Sequence, residues 1–193
     1  GKSILCPIIS SFEKTENFTL NSIAEILLAK IHTSLINEKV GKYLIKTSFN
    51  ELLYNLSIGR NLNFKKTDYS SVIKNPNYKV YKKRSIIHEN KLNYRSILKN
   101  KFFPIMFHDL MINPKLILEI FPKSKILNVE RHPIDTIVSW KKKGYGKKYL
   151  KNERNLILSF IKNNKLFPFY AYKNYNEFFK QNTDEDRIIF ILW

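Results

Sequence analysis

The chain has 193 residues, of which 44% are hydrophobic and 14% aromatic, and this composition excludes a protein that is disordered throughout. Its 34 basic and 16 acidic residues give a net charge of +18, which predicts attraction to anionic ligands. The single cysteine, Cys6, excludes a disulfide within the chain and suits a reducing compartment. No apolar run approaches the roughly 20 residues that cross a bilayer. We therefore expect one cytoplasmic domain over residues 1–193, without a membrane span.

The first predicted elements are a strand, a loop and a helix. Ser3–Ile9 is an apolar run and predicts a strand that is buried on both faces. Ser10–Asn17 is polar and predicts a turn, and the apolar residues of Phe18–Ile31 recur with helical spacing. In phosphate-binding α/β folds, the helix after such a loop presents free N–H groups to the anion.

Residues 33–99 are predicted to form a helical insertion that carries substrate contacts. A helix is expected over Phe49–Leu62, with an interruption near Gly59. Tyr78–Tyr81 fits either a strand or an extended arm.

Strands and helices alternate in the second half of the chain. The predicted strands are Phe102–Met106, Lys125–Glu130 and Ile188–Leu192, and the predicted helices are Asn113–Ile120, Pro133–Lys143, Asn152–Lys162 and Tyr170–Phe179. Asn113 suits a helix cap, and Pro114 and Pro133 suit first helical turns. The alternation predicts a parallel sheet in an α/β fold. Because the chain starts with glycine and ends in a predicted strand, we expect the domain to be incomplete at both ends.

The most informative motif lies at the end of the strand predicted over Lys125–Glu130. Arg131, Pro133, Asp135 and Ser139 follow that strand with the spacing Arg-x-Pro-x-Asp-x-x-x-Ser. The motif resembles the 3′-phosphate-binding motif of sulfotransferases that use 3′-phosphoadenylyl sulfate (PAPS). The preceding Leu116–Lys125, with its Phe-Pro-x-x-Lys ending, is similar to the lead-in common in that family.

The resemblance implies a function and a fold. Arg131 and Ser139 would bind the 3′-phosphate of PAPS, and the reaction would move a sulfuryl group to a hydroxyl or amine of a small-molecule or carbohydrate acceptor, without a metal. The implied fold is a three-layer α/β sandwich with a central parallel sheet, like that of P-loop nucleotide kinases. Nucleic acid would then be an unlikely partner.

The loop after the first predicted strand resembles the family's 5′-phosphosulfate loop in part. Lys14 and Thr15 match its first positions, whereas Glu16 stands where glycine is expected and Asn17 where threonine is expected. The resemblance implies that Lys14, Thr15, Asn17 and Thr19 contact the phosphosulfate and that Lys14 stabilises charge on the bridging oxygen. The alternative is an ordinary strand–helix loop with a solvated lysine.

His108 follows the strand predicted over Phe102–Met106. Members of the family carry a catalytic histidine in a similar place before the arginine motif, so the resemblance implies that His108 takes the acceptor's proton. The alternative is a hydrogen-bonded histidine that caps the next segment, with Asp109 orienting the ring or acting in its place.

Other functions remain open from the sequence. A nucleotide or sugar kinase of the P-loop type would need a Walker lysine and a magnesium carboxylate, neither of which is found. A basic nucleic-acid-binding module without catalysis fits the charge. A degenerate, inactive sulfotransferase fits the departure at Glu16. The lysine run from Lys141 to Lys148 is interpreted as solvated surface at a helix end.

Overall fold

The computed structural model describes residues 2–150 and 159–192. The chain divides into two compact units. Unit 1 comprises Gly1–Leu28 and Asn37–Leu127, and unit 2 comprises Ala29–Ile36 and Asn128–Trp193.

Unit 1 is mostly helical. Its elements are α1 Lys2–Ser10, β1 Thr19–Leu20, α2 Ser22–His32, α3 Glu38–Ser57, α4 Tyr78–Ile86, α5 Tyr94–Asn100, β2 Ile105–Met106 and α6 Pro114–Ile120. The last residues of α2, from Ala29 on, are assigned to unit 2. The elements of unit 2 are α7 Pro133–Lys142, α8 Tyr145–Lys148, β3 Ser159–Lys162, β4 Lys165–Pro168, α9 Tyr175–Lys180 and α10 Asp184–Leu192. Among the described residues, no helix is long and apolar enough to cross a membrane.

Each unit has one small sheet within the described residues. In unit 1, β1 and β2 are parallel, with Thr19 opposite Ile105 and Leu20 opposite Met106, and a bridge from Thr15 to Phe102 extends the pairing. In unit 2, β3 and β4 form an antiparallel hairpin. The protein is therefore a helix-rich mixture of α and β structure that contains a short parallel sheet.

The predictions based on caps and prolines are confirmed. The Asn113 side chain accepts a hydrogen bond from the Leu116 N–H at 3.3 Å, and Pro114 opens α6. Pro133 opens α7, with Asp135 in its first turn. A proline there loses no helical hydrogen bond, and the helix dipole favours an anion there. The helix predicted over Phe49–Leu62 is found in part: α3 starts earlier, at Glu38, and ends at Ser57, before Gly59 with its φ of 85°, and it does not resume after Gly59.

Two predicted strands are helices. Ser3–Ile9 lies in α1, where the Ser10 hydroxyl also donates to the Cys6 carbonyl at 2.8 Å. Ile188–Leu192 lies in α10, whose start is fixed by Thr183 and Asp186: each side chain accepts a hydrogen bond from the other's N–H. A short apolar run fits a buried helix as well as a buried strand, so periodicity alone gave the wrong element.

Other local predictions are corrected as well. Lys125–Glu130 has no regular secondary structure, and Tyr78–Tyr81 begins α4. The helix predicted over Asn152–Lys162 falls partly outside the described residues, and its end is strand β3. Asn163 and Asn164 both have positive φ, which suits the tight turn of the β3–β4 hairpin. Tyr170–Phe179 begins in a 3₁₀ turn and continues as α9.

Each unit has its own buried apolar residues. The core of unit 1 includes Phe18, Ala24, Ile45, Phe49, Val72, Tyr81 and Leu116. The core of unit 2 is largely aromatic and consists of Tyr149, Phe167, Ala171, Phe178 and Ile188, with Ile137 and Trp140 of α7 packed against it. This packing fixes which face of α7 is turned away from the core.

Candidate functional site

In unit 1, the first candidate residue lies just beyond the parallel sheet. His108 follows β2, and ligands of α/β folds bind at the carboxyl ends of parallel strands. The preceding residue, Phe107, is held by two contacts. The Lys2 ammonium donates to the Phe107 carbonyl at 2.7 Å, and the Phe107 ring stacks on Phe49 of α3 with centroids 6.1 Å apart. The position of His108 is therefore set by α1 and α3 as well as by the strand.

Glu25 of α2 is the hydrogen-bond partner of His108. The His108 backbone N–H donates to Glu25 Oε1, and the same oxygen lies 3.1 Å from the ring nitrogen Nδ1. The Glu25 side chain is 18% exposed and that of His108 is 48% exposed. One carboxylate thus holds both the backbone and the ring of the candidate base.

This contact shifts the pKa of both partners. The hydrogen bond that His108 donates to Glu25 raises the pKa of His108, and this outweighs burial, which would lower it. For Glu25, burial raises the pKa, but the hydrogen bonds from His108 outweigh it, and the pKa lies below its usual value. The raised pKa of His108 and the lowered pKa of Glu25 both favour an imidazolium paired with a carboxylate.

Glu25 belongs to none of the sequence motifs described above. It stands in the first turn of α2, which begins after Asn21, whose side chain accepts a hydrogen bond from the Ala24 N–H at 3.0 Å. A glutamate in a first turn is ordinarily explained by the helix dipole. Since 83 positions separate it from His108, no local pattern marks the pair.

The loop that contains Lys14 is integrated into the fold of unit 1. The N–H groups of the five residues that follow Lys14 all donate within the protein, to the carbonyls of Phe12, Phe102 and Pro104 and to the hydroxyls of Tyr81 and Ser10. A phosphate cradle needs N–H groups that point at the ligand. In this arrangement the loop presents the exposed Lys14 side chain rather than a set of free amides.

The side chains of this loop are also engaged. The Thr15 hydroxyl donates to the Glu13 carbonyl at 3.4 Å, and the Asn17 amide donates to the Ser70 carbonyl at 2.7 Å. Thr19 pairs with β2. The assignment of Lys14, Thr15, Asn17 and Thr19 to the phosphosulfate stays a prediction that requires these groups to exchange partners.

Glu16, which departs from the family pattern, faces a cation. Its carboxylate accepts two hydrogen bonds from Arg84, at 2.8 and 3.1 Å, and both side chains are almost fully buried. The charge of Glu16 is thereby compensated inside unit 1. The carboxylate is directed at a guanidinium and is not free to repel an anion at the loop surface.

Lys14 and His108 lie at opposite ends of the short parallel pairing in unit 1. Lys14 precedes the bridge from Thr15 to Phe102, whereas His108 follows Met106 at the other end of the pairing. At about 3.3 Å per residue, the six steps from Phe102 to His108 correspond to roughly 20 Å of extended chain. The assignment of both residues to catalysis stays a prediction.

In unit 2, Arg131 and Ser139 line one cavity of about 310 Å³ beside α7. Its other lining residues are Asp135, Val138, Lys142 and Lys143. Positions 135, 138, 139 and 142 share one helix face, because residues three, four and seven apart are neighbours on a helix. Ile137 and Trp140 turn toward the core, so the Arg131–Ser139 spacing places both polar groups at the same opening.

The charges at the cavity are mainly positive. Arg131, Lys142 and Lys143 are cations and Asp135 is the single anion among the lining residues. No hydrogen bond or ion pair joins the Arg131 side chain to another of the residues described, 2–150 and 159–192. By contrast, Lys141 on the same helix pairs with Glu185 of α10. The lysines of this run therefore differ in their surroundings, because Lys142 and Lys143 border the cavity and Lys141 does not.

Comparison with protein-family models, with curated proteins and with solved structures found no match to this chain. Within the part of the chain that the structure describes, no group of three or more histidine, cysteine, aspartate or glutamate side chains is placed to hold a metal ion. The chemistry and placement of the residues are therefore the basis for assigning a ligand to the two candidate regions.

Proposed function

We propose that this protein is a PAPS-dependent sulfotransferase, which moves a sulfuryl group from PAPS to the hydroxyl or amine of an acceptor. The observation that carries the proposal is the cavity in unit 2. Arg131 and Ser139, the two residues that the motif assigns to the 3′-phosphate, line it together with Lys142 and Lys143.

The cavity has the chemistry that a phosphate group needs. A guanidinium can donate two parallel hydrogen bonds to phosphate oxygens, and such charge-assisted bonds are stronger than neutral ones. The Ser139 hydroxyl adds a further donor, and the lysines add positive charge. A 3′-phosphate bound here would distinguish PAPS from nucleotides that lack it, such as AMP and ATP.

His108 is the proposed general base. Its imidazole would take the proton of the acceptor while the acceptor oxygen or nitrogen forms a bond to sulfur. The bond between sulfur and the bridging phosphate oxygen breaks in the same displacement, and 3′-phosphoadenosine 5′-phosphate (PAP) leaves. A histidine suits this step because it titrates near neutral pH.

The proposal takes His108 rather than Lys14 for the transfer step. The two residues lie at opposite ends of the β1–β2 pairing. His108 is held by Glu25 and is half exposed, whereas the amides after Lys14 are already occupied. Lys14 remains a candidate for attracting the anionic nucleotide.

The proposal also implies a finer fold than the one described above. A sulfotransferase of this family would be a three-layer α/β sandwich with a central parallel sheet, like a P-loop nucleotide kinase. The parallel pairing of β1 with β2 is compatible with that fold, although helices α1 and α10 stand where strands are predicted.

Calorimetric titration with PAP, with AMP as the comparison, tests the proposal. We expect PAP to bind and AMP to bind much more weakly, because AMP lacks the 3′-phosphate. Arg131→Ala should weaken PAP binding by about 2–3 kcal/mol, as for a lost charge-assisted hydrogen bond. Equal affinity for PAP and AMP would contradict the assignment of the cavity. Affinity that falls steeply with salt for any polyanion would favour a nucleic-acid-binding module instead.

A further inference from the structure

We propose that Glu25 is the positioning residue of His108: its carboxylate fixes the ring with the proton on Nδ1 and leaves Nε2 as the basic nitrogen. This inference rests on the proposed function, since it names the group that prepares the proposed base. It goes beyond that function because neither the motif nor the sequence pattern points to Glu25.

Hydrogen-bond chemistry determines the tautomer. A carboxylate only accepts hydrogen bonds, so a neutral imidazole that contacts it through Nδ1 carries its proton on that nitrogen. Nδ1 lies 3.1 Å from Glu25 Oε1 and 3.4 Å from Oε2. Nε2 then has a free lone pair, which a general base requires.

Each partner also has a contact outside the pair. Glu25 stands on α2, whose start is fixed by Asn21, and the Asn21 amide also donates to the Ser48 hydroxyl at 3.2 Å. His108 is held through its own backbone N–H, which donates to Glu25, and its carbonyl lies 3.4 Å from the Lys2 ammonium. Because the backbone is fixed as well as the ring, rotation of the imidazole away from Glu25 is restricted.

The exposed fractions of the two side chains fit a histidine ring that is held on one side by Glu25 and is accessible on the other. Glu25 is 18% exposed, whereas His108 is 48% exposed. The partly buried carboxylate therefore meets one side of the ring, and a substantial part of the ring remains accessible.

The charged groups around His108 act in both directions. Glu25 and Asp109 favour the imidazolium, whereas Lys2 opposes it. Glu25 makes the largest contribution through its hydrogen bond to the ring. Removing the charge of Glu25 while keeping an acceptor oxygen should therefore lower the pKa of His108 without releasing the ring.

The test is an NMR titration of the histidine ring nitrogens of the full chain, without nucleotide, with His108→Gln used to assign the signal. In wild-type protein we expect His108 to be protonated at Nδ1 in its neutral form. In Glu25→Gln the pKa of His108 should fall, because the adjacent opposite charge that favours the imidazolium is lost. The matched control is Glu51→Gln, which removes an exposed carboxylate from α3 of the same unit and should leave that pKa unchanged.

The titration separates this inference from the proposed function. A neutral form protonated at Nε2, or the same His108 pKa in wild type and in Glu25→Gln, would overturn the positioning role. The wild-type tautomer decides the matter even if Glu25→Gln fails to fold. The titration uses no PAP. A failure of PAP to bind would therefore contradict the sulfotransferase proposal without affecting the result on Glu25 and His108.

Discussion

Glu16 and Arg84 form a buried ion pair in unit 1, with side chains 5% and 6% exposed. Arg84 also donates to the Leu56 carbonyl at 3.2 Å, and its guanidinium lies over the Tyr81 ring. Burial next to Glu16 raises the pKa of Tyr81, which therefore stays neutral and able to donate. These contacts tie the Glu16 segment to α3 and α4.

Removal of Arg84 should destabilise the protein strongly. Arg84→Ala leaves a buried carboxylate without its partner, and such a change costs about 3–5 kcal/mol. Arg60 offers a matched control in the same unit, since its ion pair with Glu89 is exposed and should contribute at most about 1 kcal/mol. Urea unfolding of the two variants measures the difference. Similar unfolding free energies for Arg84→Ala and Arg60→Ala would contradict the structural role given to Glu16.

The three consecutive lysines at the end of α7 should differ in their effect on anion binding. Lys142 and Lys143 border the cavity, whereas Lys141 pairs with Glu185. We expect the double variant Lys142→Ala/Lys143→Ala to bind PAP roughly tenfold more weakly, a change of about 1.4 kcal/mol. Lys141→Ala, which removes the same type of charge from the same helix, should change the affinity much less. Equal losses in calorimetry would show that the lysines act only through net charge.

Glycines end two of the helices, and the space around them differs. Gly59 follows α3 with a φ of 85°, and an added Cβ would lie 2.5 Å from the Arg84 carbonyl oxygen. Gly144 follows α7 with a φ of 69°, and an added Cβ would meet nothing within 4 Å. Both positions require a left-handed backbone, but only the first is also crowded.

This difference predicts unequal costs for the same substitution. Gly144→Ala should lose about 1–2 kcal/mol, the usual cost of a left-handed conformation for a residue with a Cβ. Gly59→Ala should lose about 1–3 kcal/mol more, because the backbone of α4 must shift to relieve the clash. Thermal unfolding of both variants measures which one loses more stability. An equal loss would mean that the turn at Gly59 packs less closely against α4 than observed.

Two helix starts are predictable from their end signals, whereas an apolar run without such a signal is not assigned to the right element. Asn113, Pro114 and Pro133 act over a few residues, so α6 and α7 begin where the sequence indicates. Ser3–Ile9 carries no such signal and was assigned to a strand. For α10 a signal was present and was missed, since Thr183 and Asp186 stand three residues apart, as in a capping box.

The residues of the two candidate regions also differ in how far apart they lie in the sequence. Arg131, Ser139 and Lys142 lie within a short stretch around one helix, so helical periodicity is enough to place them together. The contact between Glu25 and His108, and the ion pair between Glu16 and Arg84, join distant parts of the sequence. Such contacts depend on tertiary packing and leave no periodic trace, which is why only the local region was predicted from the residues.

The most direct test of the proposed nucleotide site is an NMR titration of ¹⁵N-labelled protein with PAP and, separately, with AMP. We predict that PAP perturbs the Arg131 side-chain Nε–H and the Ser139 amide and that AMP does not, because only PAP carries the phosphate assigned to this cavity. Perturbations confined to other residues, or identical perturbations by the two nucleotides, would contradict the phosphate site and with it the sulfotransferase proposal.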